Sequence, residues 1–117
     1  PVILVVEDEI IIRMDVVEQL EGKGYTVIGV GDAHEAIETL SSAERVDLLF
    51  TDVNMPGDLN GLRLAHEVAR AWPQTGIIVT SGKNAIPQDE LPDAARFYPK
   101  PYEASTIHAA IGEMLDH

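Results

Sequence analysis

Three carboxylic acids stand directly after apolar stretches of this chain. Glu7 and Asp8 follow the run Val2–Val6, and Asp52 follows the run that begins at Val46. If these runs are strands of one parallel sheet, their carboxyl ends meet at one edge and the three carboxylates converge. Two unit charges 4 Å apart repel each other by about 4 kcal/mol at an effective dielectric constant of 20. Such a cluster needs a counter-cation, and Mg²⁺ suits it because it takes a few protein oxygens and keeps its waters.

Two further polar residues follow strand-like runs in the second half of the chain. Thr80 closes the run Ile77–Thr80, and Lys100 comes shortly after Ala95–Tyr98. At the same sheet edge, the lysine would supply a positive charge and the threonine a hydroxyl. Each residue type also has an ordinary explanation, since threonine suits strands, lysine is usually solvated, and acids favour helix N-termini. Their joint position at strand ends favours a shared site.

The strands that would position these residues are short apolar runs. Runs that are apolar throughout are typical of strands covered on both faces, as in parallel sheets. Strands are predicted at Val2–Val6, Tyr25–Val30, Val46–Thr51, Ile77–Thr80 and Ala95–Tyr98.

Helical spacing of apolar residues occupies the intervals between these runs. The clear stripes are Ile10, Met14, Val17 and Leu20; Ala33, Ala36, Ile37 and Leu40; Leu62, Ala65, Val68, Ala69 and Trp72; and Ala104, Ile107, Ile111 and Met114. Asp32 and Glu35 predict a capping box at the start of the second helix. A further helix, fourth in chain order, would fall within 83–93. Pro87 and Pro92 leave room there for only a short or distorted helix.

Strands that alternate with helices predict an α/β fold with a parallel sheet and helices on both faces. For five strands of this size we expect the flavodoxin-like, doubly wound arrangement with strand order 2-1-3-4-5. Ligands in such sheets lie beyond the carboxyl ends of the strands, at the switch point between strands 1 and 3. The length of 117 residues predicts one domain over 1–117, with no output domain visible.

Composition narrows the possible functions. Eight basic and twenty acidic residues give a formal charge of −12, which disfavours binding to nucleic acid or to an anionic membrane. The chain has no cysteine, so disulfides, zinc–thiolate sites and thiol catalysis are excluded. No apolar run approaches the roughly 20 residues of a membrane helix. Without a signal-peptide pattern either, a cytoplasmic location is expected.

Four motifs of this sequence resemble those of response-regulator receiver domains of bacterial two-component signalling. They are Ile3–Glu9, Thr51–Gly57 with Asn60–Leu62, Ile78–Gly82 and Phe97–Pro101. Each motif alone is weak, but four in order, each at its expected strand end, are specific. The resemblance implies a phosphoacceptor domain that takes a phosphoryl group from a histidine kinase or a histidine phosphotransfer protein. It also implies a downstream protein target and allows a homodimer.

The resemblance also implies roles for individual site residues. Asp52 would be the phosphoacceptor and Lys100 a contact of the phosphoryl group. Glu7 and Asp8 would be the acidic pair, with Asp8 the direct Mg²⁺ ligand, while Asp52 and the backbone carbonyl of Asn54 would complete the metal contacts. Such a domain catalyses its own phosphoryl transfer and dephosphorylation and is not an enzyme with a separate substrate.

By the same resemblance, two residues would transmit the phosphorylation event to the surface. Thr80 would be the hydroxyl switch residue, and Phe97 takes the position of the aromatic switch, although a core phenylalanine explains it almost as well. The bond Lys100–Pro101 is expected to be cis, which proline allows. The surface around strand 5 and its flanking helices would change.

Three other functions compete with this interpretation. The chain could be a receiver-like docking module that is not phosphorylated. A haloacid-type aspartyl phosphatase also uses a nucleophilic Asp with Mg²⁺, but its second Asp is here Asn54, and an amide cannot act as a general base. A flavodoxin-like binding module would need a phosphate-cradling loop after strand 1, where Glu7 and Asp8 would repel a phosphate.

Overall fold

The computed structural model of the chain describes residues 1–42, 45–53, 60–82 and 86–115. Within these ranges five strands alternate with helical segments. The strands are β1 Val2–Val6, β2 Thr26–Val30, β3 Leu48–Asp52, β4 Gly76–Ser81 and β5 Arg96–Pro99. The helices are α1 Ile10–Gly22, α2 Ala33–Ser42, α3 Gly61–Ala71 and α4 Ala104–Leu115, with a 3₁₀ turn at Gln88–Glu90. None of these helices combines the length and the apolar character that a membrane crossing needs.

The sheet has the order β2-β1-β3-β4-β5, and every neighbouring pair of strands is parallel. The predicted flavodoxin-like arrangement is therefore confirmed. The chain reverses its direction of travel across the sheet after β2, so β1 and β3 are neighbours at its centre. Asp52 stands opposite Thr80 in the register of β3 and β4, which brings both to the carboxyl edge.

Two apolar layers cover the sheet because successive strand residues point to opposite faces. Leu4 and Leu49 belong to the layer that includes α2 and α3. Ile3 and Phe50 belong to the layer that includes α1 and α4. Burial of one such side chain stabilises a fold by about 1.5–3 kcal/mol. The central strands are thus fixed from both sides.

Helix α1 forms where it is predicted, but part of the apolar stripe that is predicted to face the core is exposed. Ile10 and Met14 are exposed, whereas Leu20 at the end of the stripe is buried. The side chains that face the sheet include Val16, which packs in the core, and Ile12, which lines the cavity beside β1. This helix is apolar on more than one side, so periodicity alone cannot identify its buried face.

The region of the fourth predicted helix contains only the 3₁₀ turn Gln88–Glu90 among its described residues. Pro87 precedes this turn and Pro92 follows it, and proline has no N–H to donate within a helix. Leu91 and Ala95 anchor the segment because both are buried in the core. The prediction of a short or distorted helix is therefore confirmed.

The predicted capping box of α2 forms with one difference. The Asp32 carboxylate accepts a hydrogen bond from the Glu35 backbone N–H at 2.8 Å, as expected. The Glu35 carboxylate, however, accepts from the backbone N–H of Gly31 at 3.4 Å, one residue before the expected partner. Both interactions still satisfy donors at the helix N-terminus.

Candidate functional site

Backbone hydrogen bonds extend the sheet beyond its strands at the carboxyl edge. The Glu7 N–H donates to the Val30 carbonyl at 3.1 Å, and the Val53 N–H donates to the Thr80 carbonyl at 2.9 Å. The Lys100 N–H likewise donates to a β4 carbonyl, that of Ser81, at 2.9 Å. Because these bonds fix the first residues of each loop, the side chains there start from well-defined positions.

Lys100 lies between two acids that come from different strands. Its Nζ is 3.0 Å from Asp52 Oδ2 and 3.4 Å from Glu7 Oε1. Both carboxylates are buried, at 7% exposure for Asp52 and 5% for Glu7, while the lysine is half-buried. Burial alone would lower the pKa of Lys100, but its hydrogen bond and charge interactions with Asp52 and then Glu7 outweigh burial and raise that pKa. The ammonium therefore stays charged.

The charges of this cluster do not balance without a further cation. Burial raises the pKa of Glu7 from 4.5 to about 7; Lys100 opposes this rise and the neighbouring Asp52 adds to it. Among the described residues, Glu7 Oε2 has no hydrogen-bond partner although it is buried. A buried carboxylate oxygen without a donor is costly, so the site favours a bound cation or a proton.

The donor set fits a divalent metal ion. Glu7, Asp8 and Asp52 each offer a carboxylate oxygen, and these oxygens lie within 4.8 Å of one another. Asp8 is exposed, so a bound ion would keep access to water. Hard oxygen donors with open water positions suit Mg²⁺. Asn54, whose carbonyl is a further predicted contact, lies outside the described residues.

Thr80 is fully buried, and its hydroxyl has no hydrogen-bond partner among the described residues. It lines a small cavity together with Asp52 and Lys100. A buried hydroxyl without a partner is rare in a folded protein and calls for an explanation. A group added to Asp52 would bring new oxygens into reach of this cavity.

Phe97 lies apart from this cluster. It is half-buried, pairs with Val79 in the sheet register and packs on the α2–α3 side of the core. Tyr98 packs on the α1–α4 side, so the two neighbouring rings face opposite sides of the sheet. The bond Lys100–Pro101 is cis, as expected. The ring of Tyr102 lines the same cavity as Lys100 and packs edge to face on the Phe50 ring, with ring centroids 5.9 Å apart.

The sequence motif around Gly61 has a structural cause that sequence reasoning missed. A Cβ atom at Gly61 would lie 1.9 Å from the backbone oxygen of Asp52, so only glycine fits. The preceding Asn60 caps α3 by accepting a hydrogen bond from the Arg63 N–H at 3.0 Å. The N-terminus of α3 is therefore pressed against the end of β3. An Asn-Gly pair before a helical stripe is the signal that indicates this start.

Comparison with known proteins agrees with this geometry. The sequence matches the response regulator receiver domain family over residues 3–112. It is 34% identical over 112 residues to the transcriptional regulatory protein PdtaR of Mycobacterium tuberculosis, covering 93% of this chain and 54% of that protein. It is 31% identical over 116 residues to the response regulator receiver protein CpdR of Brucella abortus, covering 97% and 95% respectively. The chain thus spans about half the length of some curated relatives it matches, such as PdtaR.

A solved structure shows the same fold with a ligand. The crystal structure of response regulator protein TrrA from Thermotoga maritima, in complex with Mg²⁺ and BeF, superposes with a TM-score of 0.87. The two sequences are 28% identical, and the match covers 97% of this chain and 98% of that one.

Proposed function

Since this chain belongs to the response regulator receiver domain family, we propose that it accepts a phosphoryl group on Asp52. The donor is a phosphohistidine of a histidine kinase or of a histidine phosphotransfer protein. The single observation that carries this proposal is the position of Asp52, a buried carboxylate 3.0 Å from the Lys100 ammonium and grouped with Glu7 and Asp8.

The reaction needs alignment and charge neutralisation more than covalent help. A carboxylate oxygen of Asp52 attacks phosphorus, and the P–N bond to the donor imidazole breaks as the P–O bond forms. The electron pair of the broken P–N bond stays on the imidazole nitrogen. The Lys100 ammonium binds a phosphoryl oxygen and offsets its charge. Glu7, Asp8, Asp52 and the Asn54 carbonyl would hold Mg²⁺, which supplies further charge neutralisation when bound.

An exposed apolar surface on α1 supports a protein as the phosphoryl donor. Ile10, Ile11 and Met14 are 57%, 78% and 63% exposed, and the helix begins two residues after Asp8. Large apolar side chains that are exposed side by side mark interaction surfaces. The net charge of −12 favours a donor with basic residues around its contact surface.

Phosphorylation then changes the surface around β5. The Thr80 hydroxyl, which has no partner in the part of the chain that the structure describes, donates a hydrogen bond to the new phosphoryl group, and this draws the end of β4 towards Asp52. Phe97, which is only half-buried, turns further inward. A local charge event of this kind biases a two-state surface. A cytoplasmic protein target reads the change.

Incubation with acetyl phosphate and Mg²⁺, followed by intact mass spectrometry, tests the assignment. The parent should gain one phosphoryl group, and Asp52→Asn should gain none. Asp93→Asn, which removes an exposed carboxylate from another part of the chain, is the matched control and should still be labelled.

Two results would contradict the proposal. Label on Asp52→Asn would place the phosphoacceptor elsewhere. A parent that stays unlabelled, with both acetyl phosphate and a phosphorylated histidine phosphotransfer protein as donor, would favour a docking module that is not phosphorylated.

A further inference from the structure

Arg13 of α1 reaches back to the start of the acidic loop. Its Nη1 donates a hydrogen bond to the backbone carbonyl of Glu7 at 2.9 Å. The side chain is half-buried although it carries a full charge. None of the described acids forms an ion pair with it. The Arg13 guanidinium binds a backbone carbonyl and not a carboxylate, which points to a role in positioning the backbone at Glu7.

Two glycines of the β2 edge make room for this side chain. A Cβ atom at Gly29 would lie 3.0 Å from Val17 Cγ2 and 3.3 Å from Arg13 Cγ, and a Cβ atom at Gly31 would lie 2.9 Å from Arg13 Nη1. Neither glycine has a positive φ, so backbone conformation does not explain their presence. Their lack of a side chain instead leaves a slot along β2 in which the arginine lies.

The slot directs the guanidinium to the peptide unit that joins Glu7 to Asp8. The Glu7 N–H is already held by the Val30 carbonyl at 3.1 Å. With Arg13 on the Glu7 carbonyl, the backbone is held on both sides of this residue. The direction of the Asp8 side chain follows from the orientation of this peptide unit.

We propose that Arg13 is a positioning residue for the acidic pair, because its bond to the Glu7 carbonyl, in the Gly29–Gly31 slot, orients Asp8 towards the metal position. This inference rests on the proposed function. A positioning role and a simple charge effect predict opposite effects of Arg13 on Mg²⁺ affinity. A cation beside an acidic site repels Mg²⁺, so an arginine that acted only by charge would weaken metal binding, and its removal would tighten it.

Two variants disturb the bond in different ways. Arg13→Ala removes the guanidinium. Gly31→Ala keeps the guanidinium and the net charge, but the new Cβ displaces Nη1, which is the flexible end of the side chain. Arg70→Ala, at an exposed position of α3, controls for the loss of one positive charge. Gly112→Ala controls for the Gly-to-Ala change because nothing lies within 4 Å of a Cβ there.

Mg²⁺ affinity, measured by isothermal titration calorimetry on the full chain, is the readout. Loss of a residue that orients a metal ligand typically weakens affinity about tenfold or more. We expect at least about fivefold weaker Mg²⁺ binding for Arg13→Ala and for Gly31→Ala, with partial rescue by Arg13→Lys. Arg70→Ala and Gly112→Ala should bind like the parent. Circular dichroism at the titration temperature confirms that each variant is folded.

The outcomes separate this inference from the proposed function. If the parent binds Mg²⁺ and Arg13→Ala binds equally or more tightly, Arg13 does not position Asp8, while the proposed phosphoacceptor is unaffected. Normal binding by Gly31→Ala would contradict the role of the slot. If the parent binds no Mg²⁺ at all, the metal site of the proposed function is wrong, and this inference is overturned with it.

Discussion

The two halves of the carboxyl edge are built very differently. On the β1–β3 half, β3 is buried along its whole length; Glu7 directly follows β1 and Asp52 ends β3, and helices cover both strands on both faces. On the β4–β5 half, β4 is buried like the central strands, but β5 has four residues, none of them fully buried, and the described part of the segment before β5 contains only a 3₁₀ turn. The acids thus stand on the rigid half, whereas Phe97 stands on the half with fewer constraints.

This difference separates two tasks of a signalling domain. Phosphoryl transfer needs atoms held in fixed positions, and these come from the most densely packed strands. A conformational response needs an element whose alternative arrangements differ little in free energy, and such elements have few buried contacts. Lys100 joins the halves, because it follows β5 and binds carboxylates at the carboxyl ends of β1 and β3.

The largest expected effect compares one glycine from each half. Gly61→Ala places a Cβ 1.9 Å from the Asp52 backbone oxygen, so α3 must move and the free energy of unfolding should fall by about 3 kcal/mol or more. Among the described residues, a Cβ at Gly82 contacts only the Lys100 side chain, at 3.6 Å, so Gly82→Ala should change stability by less than about 0.5 kcal/mol. Urea denaturation measures both. Equal losses would show that the two loops are equally constrained.

The second prediction concerns pH and the metal-free protein. The pKa of Glu7 is about 7 in the folded state against an ordinary 4.5, so the folded protein binds the proton more tightly. Stability that this proton supplies is present at low pH and is lost as pH rises through about 7. At about 1.4 kcal/mol for each pKa unit, the rise from 4.5 to about 7 corresponds to a loss of about 3 kcal/mol.

Glu7→Gln isolates this contribution. In metal-free buffer it should flatten the fall in stability between pH 4.5 and 7 and leave the protein more stable than the parent at pH 8. Glu113→Gln, which removes an exposed carboxylate paired with Arg96 on the β5 side, should keep the parent's slope. Chemical denaturation at a series of pH values is the measurement. An unchanged slope in Glu7→Gln would mean that another group titrates.

Sequence patterns predict the positions of the strand ends well and the contacts of individual side chains less well. Asp52 and Lys100 could be located because apolar runs predict parallel strands, and parallel strands bring their carboxyl ends together. The exposed faces of Ile10 and Met14 could not be predicted, because α1 is apolar on several sides. The contacts of Gly61 and Arg13 depend on how a helix end packs against the backbone at a strand end, which no local pattern of residue types indicates.

The third prediction concerns the hydroxyl between the halves. Thr80 Oγ is buried without a partner among the described residues, which destabilises the unphosphorylated protein. Thr80→Val replaces the hydroxyl by a methyl group of similar shape and should raise the free energy of unfolding by about 1 kcal/mol. Thr51→Val is the matched control, because its hydroxyl donates to the Asp52 carbonyl at 3.0 Å and its loss should destabilise. A loss of stability in Thr80→Val would mean that the hydroxyl has a partner, such as water.

The smallest effect concerns what holds the segment before β5. His66 of α3 lies with its Nε2 2.6 Å from the Glu90 carbonyl, and Nε2 must carry a proton to donate there. The bond links the 3₁₀ turn to the helix whose N-terminus is pressed against Asp52. A hydrogen bond at an exposed position contributes about 0.5 kcal/mol or slightly more, which is too little to alter global stability visibly.

Local opening of 86–95 depends directly on this hydrogen bond, however, because Leu91 and Ala95 are the only fully buried residues of that described segment. His66→Ala should therefore speed amide hydrogen exchange in 86–95 by about two- to threefold while β1 and β3 exchange as in the parent. His34→Ala, an exposed histidine of α2, should change neither region. If His66→Ala speeds exchange in β3 as much as in 86–95, the two halves open together, and the division of the carboxyl edge into a rigid and a loosely held half is wrong.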